Sequence, residues 1–231
     1  MSWREEAKKR AAVEAVKNVK NGFVLGLGSG STAAYAIEEI GRRIKNEDLR
    51  ILAVPTSYQS FLLAVKHGVP ITTLFEHPQI DLDIDGADQI DPQLNLIKGL
   101  GGALTKEKIV ASSSKSIIIV ADETKLVENL GEKSPLPIEV LPFALPLVSS
   151  KIRELGGKPV LREKKDNSGP YITDNGNFII DVDMGIIEDP QGLEQKLKAI
   201  PGIVETGLFI NLAHVAYIGY EKTVKKIIRK L

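Results

Sequence analysis

Along the first 130 positions, the pattern of apolar and polar residues distinguishes short apolar runs from longer segments with helical spacing. Trp3, Ala7, Ala11, Ala15 and Val19 recur at every fourth position among charged residues, which predicts an amphipathic helix over 3–20. Compact apolar runs predict strands at 23–28, 50–55, 71–75, 80–85 and 116–122. Helical spacing predicts the intervening helices, at 58–67, at 104–115 and through Ala33, Ile37, Ile40 and Ile44. Strands that alternate with helices indicate βαβ units and a mostly parallel sheet.

The pattern changes near residue 131, because four prolines fall within 134–146 and indicate a domain boundary. Beyond it we predict, in order, a helix over 146–155, strands at 158–162, 171–173 and 178–184, a helix from Asp189 to Ile200, and a strand at 202–210. This order is that of a ferredoxin-like domain with one extra hairpin strand. The tail is predicted to add a strand at VAYIGY and a basic amphipathic helix over 221–230.

These elements together predict an α/β protein. Residues 1–130 plus 208–231 are expected to form a Rossmann-like, mostly parallel sheet domain. Residues 131–207 are expected to form a smaller ferredoxin-like α+β domain, inserted near the C-terminus.

Composition narrows the classes of function. Lys+Arg and Asp+Glu are both 30 among 231 residues, so the formal net charge of zero gives no general attraction to nucleic acid. The chain has no cysteine, and its three histidines lie far apart in no metal-ligand spacing. The start, MSWREEAKKR, lacks the apolar core of a signal peptide, and no apolar run reaches the ~18 residues of a membrane span. We expect a soluble, cytoplasmic protein with no metal site, no redox centre, and no nucleic-acid or membrane partner.

The segment GLGSGST (26–32) joins a predicted strand to a predicted helix. Its glycines let backbone N–H groups converge at a helix N-terminus, and its hydroxyls add donors, which together suit a phosphate group. A tight turn that binds nothing is the alternative. The segment departs from the GxGxxG dinucleotide fingerprint at Ser31, and no Lys follows Gly30 as a P-loop requires. A small phosphorylated metabolite is therefore favoured over NAD or ATP.

The segment DLDIDGAD (81–88) begins like a calcium-binding EF-hand loop, but its twelfth position is Pro92 instead of Glu. Strict alternation instead predicts a strand that ends near Asp85 and Asp88. Ligands of open α/β sheets bind at the C-terminal ends of strands, so we assign a function to these two acids. For Asp81 and Asp83 we favour solvated acids of a polar turn.

The segment KGLGGALTKEK (98–108) is a second glycine-rich turn that opens a helix, with Thr105 as its candidate N-cap. Glu107 is then either a surface acid that complements the helix dipole or a general base, and the pattern leaves both open. Lys125 follows the strand 116–122 and either pairs with a phosphate or is solvated.

GLGSGST, DGAD, KGLGGALTKEK and DETK, in this order, resemble the type A ribose-5-phosphate isomerase family over nearly the whole chain. The resemblance implies interconversion of ribose 5-phosphate and ribulose 5-phosphate in the pentose phosphate pathway, with no metal or organic cofactor. It also implies a homodimer or homotetramer. Residue by residue, it implies three substrate-binding loops, Glu107 as the proton acceptor and Lys125 as a further substrate contact. The loops are Ser29, Gly30, Ser31 and Thr32; Asp85, Gly86, Ala87 and Asp88; and Lys98, Gly99, Leu100 and Gly101.

The family pattern is broken at three positions. Leu100 replaces a glycine, Gln89 replaces an acid, and Ser29 replaces a threonine, but no charged catalytic group is lost. The chemistry of such an isomerase needs a carboxylate that moves a proton between two carbons. It also needs a cation that stabilises the negative charge developing on oxygen. We expect Glu107 and Lys98 in these roles, with Asp85 opening the sugar ring.

Two alternatives remain. A sugar-phosphate-sensing regulator would need a DNA-binding segment, and the sequence shows no helix-turn-helix. An amino-sugar-phosphate deaminase would need a catalytic histidine, for which His214 is a loose candidate.

Overall fold

The computed structural model describes residues 2–230. The helices are α1 (Trp3–Val16), α2 (Ser31–Glu47), α3 (Tyr58–Lys66), α4 (Leu104–Ser112), α5 (Leu145–Glu154) and α6 (Pro190–Lys198). The strands are β1 (Val24–Leu27), β2 (Leu52–Pro55), β3 (Leu82–Asp85), β4 (Gln89–Ile90), β5 (Leu96–Ile97), β6 (Ile117–Asp122), β7 (Leu136–Val140), β8 (Lys158–Leu161), β9 (Phe178–Asp183), β10 (Ile203–Thr206), β11 (Leu208–Phe209), β12 (Val215–Gly219) and β13 (Val224–Ile228).

The chain divides into two compact units. The first comprises the chain through Ala87, Lys106–Lys125 and the segment from Leu212 onward, and the second comprises Asp88–Thr105 and Leu126–Asn211. The predicted boundaries, 1–130 plus 208–231 against 131–207, differ from these. Segment 88–105 joins the second unit because β5 pairs with β11 and Val127 N–H donates to the carbonyl of Ile90. Two-residue strands carry no periodicity from which this pairing could be predicted.

The first unit is built on a six-stranded sheet in the order β13-β12-β6-β3-β1-β2. All neighbouring pairs are parallel except β12 and β13, which confirms the predicted mostly parallel sheet. Strands β1, β3 and β6 are buried along their whole length, as expected for parallel strands covered on both faces.

Alternate residues of these strands serve two separate cores. Leu25 and Leu27 pack with apolar residues of α1, α2 and α3, whereas Val24 packs with Val110 of α4. Helix α4 therefore covers the other face of the sheet. It approaches β1 so closely that a Cβ on Gly26 would lie 2.5 Å from the Val110 Cγ1 atom, so glycine is required there.

The second unit contains a four-stranded antiparallel sheet in the order β10-β7-β9-β8 and a small sheet in the order β11-β5-β4. The chain order β7-α5-β8-β9-α6-β10 is the predicted ferredoxin-like α+β arrangement. Its core joins Ile138, Val140, Ile180 and Val182 of the sheet to Leu197 of α6. Asp189 caps α6 as predicted, since its side chain accepts a hydrogen bond from Gly192 N–H.

Several predicted elements were wrong. Residues 221–230 form no helix, because β13 pairs with β12 over five residues and a Tyr220 N–H to Thr223 carbonyl bond closes the hairpin. Segments 71–75 and 171–173 form isolated bridges instead of strands. In the former, the Thr72 hydroxyl bonds the Glu76 carboxylate and shapes a turn. Strand 202–210 is divided at Gly207 between two sheets.

Candidate active site

The C-terminal ends of β2, β1, β3 and β6 are neighbours along one edge of the first unit's sheet, because these strands are adjacent and parallel. The loops that follow them carry Ser57, the segment 29–32, the segment 85–87 and Lys125. The structure therefore places the first-unit candidates where open α/β sheets bind ligands.

The first loop turns from β1 into α2. Gly30 has φ +92° and stands as the N-cap of α2, whose first residue is Ser31. The Ser29 hydroxyl donates to Ser57 Oγ at 2.6 Å and lies 2.8 Å from Thr56 Oγ1. The exposed N-terminal turn of α2 thus presents backbone N–H groups and hydroxyls, a combination that suits an anion.

A lysine that sequence reasoning missed stands beside this turn. Lys8 of α1 donates from Nζ to Ser31 Oγ at 3.1 Å and pairs with Glu5 at 2.8 Å. Hydrogen bonds from Lys8 and Tyr35 lower the pKa of the Glu5 carboxyl. Lys8 belongs to the charged positions of an amphipathic helix, so the sequence pattern did not distinguish it from a solvated residue.

Asp85 joins the first and second loops. Its carboxylate, only 1% exposed, accepts from Ser29 N–H at 3.1 Å and from Gly86 N–H at 2.7 Å through the same oxygen, Oδ1. A Cβ on Gly28 would lie 2.0 Å from that oxygen. Glycine at 28 therefore makes room for the Asp85 carboxylate.

The other two acids of the alternating segment behave differently from the prediction. Asp83 is fully buried on the face covered by α4, next to Gly26, so its assignment as a solvated acid was wrong. Asp81 is partly exposed and accepts from Lys115 Nζ at 2.8 Å and from Val24 N–H at 2.9 Å. These two hydrogen bonds, that of Lys115 first, lower the pKa of Asp81.

Glu107 lies in the first turn of α4 and is 5% exposed. The interpretation of Glu107 as a surface acid is therefore wrong. Its neighbour Lys106 places Nζ 5.2 Å from the ring centroid of Tyr58, the residue after Ser57, so this turn lies at the same edge of the sheet. Thr105 does not cap the helix, which begins at Leu104; its hydroxyl instead donates to Glu139 Oε2 at 2.5 Å.

Lys125 ends a turn of 3-10 helix that follows β6. The preceding turn is fixed by Asp122, whose Oδ1 accepts from Thr124 N–H at 3.0 Å and from the Thr124 hydroxyl at 2.5 Å. Lys125 itself is half-buried.

The second unit holds the remaining candidates. Lys98 is 3% exposed, its N–H donates to the Gly207 carbonyl, and its Nζ lies 5.4 Å from the ring centroid of Phe209. Asp88 Oδ2 accepts from Leu100 N–H at 2.9 Å. The end of the second loop and the third loop are therefore brought together within this unit.

Two residues that hold the third loop were also missed. Arg162 Nη1 donates to the carbonyls of Gly99 and Leu100, both at 3.0 Å, and the Tyr171 hydroxyl donates to the Gly101 carbonyl at 3.3 Å. Burial raises the pKa of the Tyr171 hydroxyl. Neither residue stands in a motif, so no local signal in the sequence marks them.

Two residues singled out in the sequence prove to be structural. The buried Gln89 accepts from Gly131 N–H at 2.9 Å and donates to Ser134 Oγ at 2.6 Å, so its amide serves as acceptor and donor at once. An acid at 89 would lose the donor. His214 Nδ1 accepts from the N–H of Ile117, the first residue of β6, which places His214 at the opposite edge of the sheet from Asp85.

Within residues 2–230, no three histidine, aspartate or glutamate side chains come close enough together to hold a metal ion. Over the same range, no helix is both long and apolar enough to span a bilayer.

Comparison with known proteins identifies the family. The sequence model described as ribose 5-phosphate isomerase A (phosphoriboisomerase A) matches residues 52–223. The ribose-5-phosphate isomerase A of Methanosarcina acetivorans is 51% identical over 96% of this chain and 94% of its own length. That of Methanothermobacter thermautotrophicus is 48% identical over 94% of this chain and 96% of its own.

Comparison with solved structures indicates the same family. The ribose 5-phosphate isomerase A of Methanocaldococcus jannaschii superposes with a TM-score of 0.93 at 45% identity, covering 97% of this chain and 99% of its own. A D-ribose-5-phosphate isomerase in complex with phospho-erythronic acid superposes with a TM-score of 0.96 at 45% identity, covering 99% of this chain and all of its own. The chain belongs to the ribose 5-phosphate isomerase A family and is an aldose–ketose isomerase.

Proposed function

We propose that this chain interconverts D-ribose 5-phosphate and D-ribulose 5-phosphate through an enediolate, with Glu107 as the general base. The observation that carries the proposal is the burial of the Glu107 carboxylate in the first turn of α4, at the edge of the sheet where Asp85 and the first loop also lie. A buried carboxylate does not act as a surface charge. Its place at the edge formed by the C-terminal ends of the parallel strands suits proton transfer to and from a bound substrate.

The reaction needs one proton moved between adjacent carbons. Glu107 takes the proton from C2 of the aldose, and the electron pair of that bond forms the C1–C2 double bond of the enediolate. The carbonyl oxygen at C1 gains the charge and takes up the proton of the C2 hydroxyl, which leaves the charge on the C2 oxygen. Glu107 then returns its proton to C1, and the C2 oxygen becomes the ketone carbonyl. We propose that the ammonium group of the buried Lys98 stabilises the charge that develops on oxygen.

Asp85 is proposed to open the sugar ring. Its Oδ1 accepts two backbone N–H bonds, which hold the carboxylate in a fixed position between the first and second loops. A carboxylate can take the proton from the ring hemiacetal hydroxyl, after which the ring oxygen is protonated and the aldehyde is released. Asp88, whose carboxylate is directed by Leu100 N–H, is proposed to orient substrate hydroxyls.

The remaining residues are proposed to bind the substrate. The N-terminal turn of α2, formed by Ser29, Gly30, Ser31 and Thr32, is proposed to hold the phosphate, with the N–H groups and hydroxyls of Ser31 and Thr32 as donors and Lys8 as a cation beside Ser31. The donors of Ser29 and Gly30 bond Asp85, Ser57 and Gln59, and these two residues shape the turn. Gly86, Ala87, Gly99, Leu100, Gly101 and Lys125 complete the proposed contacts. Binding energy from the phosphate holds the reacting carbons in place for proton transfer.

The phospho-erythronic acid bound by one relative supports an enediolate. It carries a phosphate, and the two oxygens of its planar, charged carboxylate resemble the pair of cis oxygens that an enediolate carries on its adjacent carbons C1 and C2. For this chain we therefore propose that phospho-erythronic acid inhibits competitively and binds more tightly than ribose 5-phosphate.

The cellular setting and assembly are also proposals. We propose a cytoplasmic enzyme of the non-oxidative pentose phosphate pathway that needs no metal, because no step above uses one. The family resemblance favours a homodimer or homotetramer, and light scattering after size exclusion measures which of them forms.

The test is conversion of ribose 5-phosphate to ribulose 5-phosphate by the purified protein in EDTA. Turnover that persists in EDTA and is inhibited competitively by phospho-erythronic acid supports the proposal. Turnover that EDTA abolishes and added metal restores would contradict the metal-free mechanism. Saturable binding of ribose 5-phosphate without turnover would contradict the isomerase and favour a sugar-phosphate sensor.

A further inference from the structure

Three consecutive carbonyl groups of the third loop accept hydrogen bonds from the ferredoxin-like sheet region. The carbonyls of Gly99 and Leu100 accept from Arg162 Nη1 at 3.0 Å each, and the carbonyl of Gly101 accepts from the Tyr171 hydroxyl at 3.3 Å. Arg162 and Tyr171 lie more than 60 residues from this loop in sequence. The loop is thus held by tertiary contacts and not only by its own turn.

The guanidinium of Arg162 is held rigidly. Its Nε donates to Asp181 Oδ2 at 2.8 Å and its Nη2 donates to Asp181 Oδ1, which forms a two-point ion pair. The side chains of Arg162 and Asp181 are 13% and 23% exposed, so little solvent reaches the pair. The ring of Tyr171 lies 5.9 Å from the Arg162 guanidinium carbon, and Tyr171 N–H donates to the Arg162 carbonyl.

These contacts fix the direction of the loop's amide groups. In a trans peptide the N–H points opposite to the C=O, so the N–H of Gly101 points away from Arg162. The N–H of Leu100 is held by Asp88 Oδ2 at 2.9 Å. Gly102 has φ +80°, and a Cβ there would lie 2.5 Å from the Tyr171 hydroxyl, so the loop packs directly against the ring.

We propose that Arg162, oriented by Asp181 and backed by Tyr171, is a positioning residue that holds the third substrate loop and the adjacent Lys98 in the geometry that catalysis uses. The inference rests on the proposed function, in which this loop binds substrate and Lys98 stabilises the oxygen charge. Arg162 touches loop carbonyls and acts only through them. A displacement of about 1 Å in such a loop is enough to slow turnover by about 100-fold.

The test is Arg162→Lys, measured by steady-state kinetics and by amide hydrogen exchange. Lysine keeps the charge that pairs with Asp181, but one ammonium cannot bond the carboxylate and two carbonyls in the same geometry. We expect kcat to fall about 10-fold or more and KM to rise by a smaller factor, up to about 3-fold, because the loop is proposed to contact the substrate in the bound state as well as in the transition state. We also expect the amides of 100–102 to exchange at least about 10-fold faster while β7–β10 keep their protection.

The matched control is Lys158→Met, which removes the exposed ion pair of Lys158 with Asp183 on the same two strands. Its kcat and its exchange in the loop should equal those of the wild type. Tyr171→Phe is the second variant if Arg162→Lys fails to fold. It removes only the bond to the Gly101 carbonyl, and we expect a kcat loss of about 2- to 5-fold with faster exchange at Gly102.

Wild-type kcat in Arg162→Lys despite faster loop exchange would overturn the proposal, as would unchanged loop exchange. Faster exchange spread evenly over β7–β10 would also overturn it, because it would show a general structural role. If the wild-type protein does not isomerise ribose 5-phosphate, the proposed function fails. The exchange measurement still decides whether Arg162 holds the loop.

Discussion

The prediction that depends most directly on the observed geometry concerns Gly28. The substitution Gly28→Ala would place a Cβ 2.0 Å from Asp85 Oδ1 and 2.5 Å from Asp85 Cα. Such a contact needs more than 3.0 Å, so the two loops must separate by about 1 Å. That movement disrupts the hydrogen bond from Ser29 N–H to Asp85 Oδ1, which is 3.1 Å long.

The expected loss is therefore catalytic as well as structural. A misplacement of about 1 Å costs about 100-fold in kcat/KM, which corresponds to about 2.7 kcal/mol of transition-state stabilisation. Overpacking should also lower the free energy of unfolding by about 1–3 kcal/mol. The assays are ribulose 5-phosphate formation for kcat/KM and urea titration for the free energy of unfolding.

Gly41→Ala is the matched control for Gly28→Ala. Its Cβ would lie 2.5 Å from the carbonyl oxygen of His67, so it should destabilise the first unit by a similar amount without touching Asp85. We expect a folded Gly41→Ala enzyme to keep kcat/KM within about 3-fold of the wild type. Near wild-type kcat/KM in a folded Gly28→Ala protein would refute the link between the Asp85 position and turnover.

Three further predictions concern charged groups. Because Lys115 lowers the pKa of Asp81, the carboxylate of Asp81 should stabilise the fold above about pH 3.9, and this stabilisation should be lost as the pH falls through the lower folded pKa. The variant Asp81→Asn should therefore lower the free energy of unfolding at pH 7 but not near pH 2. An equal loss at both pH values would contradict this prediction. Glu139 is buried and accepts four hydrogen bonds, so Glu139→Gln should cost about 1–3 kcal/mol or more in urea unfolding, and a neutral result would contradict this reading. Lys98→Ala should raise KM and lower kcat together, and an effect on neither would remove Lys98 from the site.

Much of the fold is predictable because the local sequence pattern and the tertiary packing favour the same secondary structure. The run of apolar residues at 117–120 suits only an element covered on both sides, and it forms the fully buried strand β6. The pair Asp189-Pro190 specifies a helix start by itself, and α6 begins there. The order β1, α2, β2, α3, β3, α4 and β6 follows from such local signals, although the strand predicted at 71–75 does not form.

Other elements depend on contacts that no local pattern encodes. VKKII at 224–228 fits a helix as well as a strand, and the pairing of β13 with the buried β12 decides the outcome. The acids at 81 and 83 look alike in the alternating segment, yet α4 covers Asp83 while Asp81 reaches Lys115. Helix α4 is distant in sequence, so the alternation alone could not separate the two acids.

The residues of the site also divide into those that a local sequence pattern marks and those that only contacts distant in sequence place there. The glycine-rich loops and their charged residues stand in motifs, so the sequence pointed to Asp85, Lys98 and Glu107. Arg162 reaches the third loop across 63 residues, and it follows an ordinary strand. A side chain that acts through backbone carbonyls leaves no motif, and only the structure shows it.

The proton transfer proposed for Glu107 is tested by measuring the turnover of ribose 5-phosphate by the variant Glu107→Gln. Glutamine keeps the shape of the side chain and removes the base, so we predict that kcat falls about 100-fold or more while KM changes little. Glu154→Gln, on the exposed face of α5, is the control and should keep wild-type kcat. A folded Glu107→Gln protein with near wild-type kcat would contradict the role assigned to Glu107.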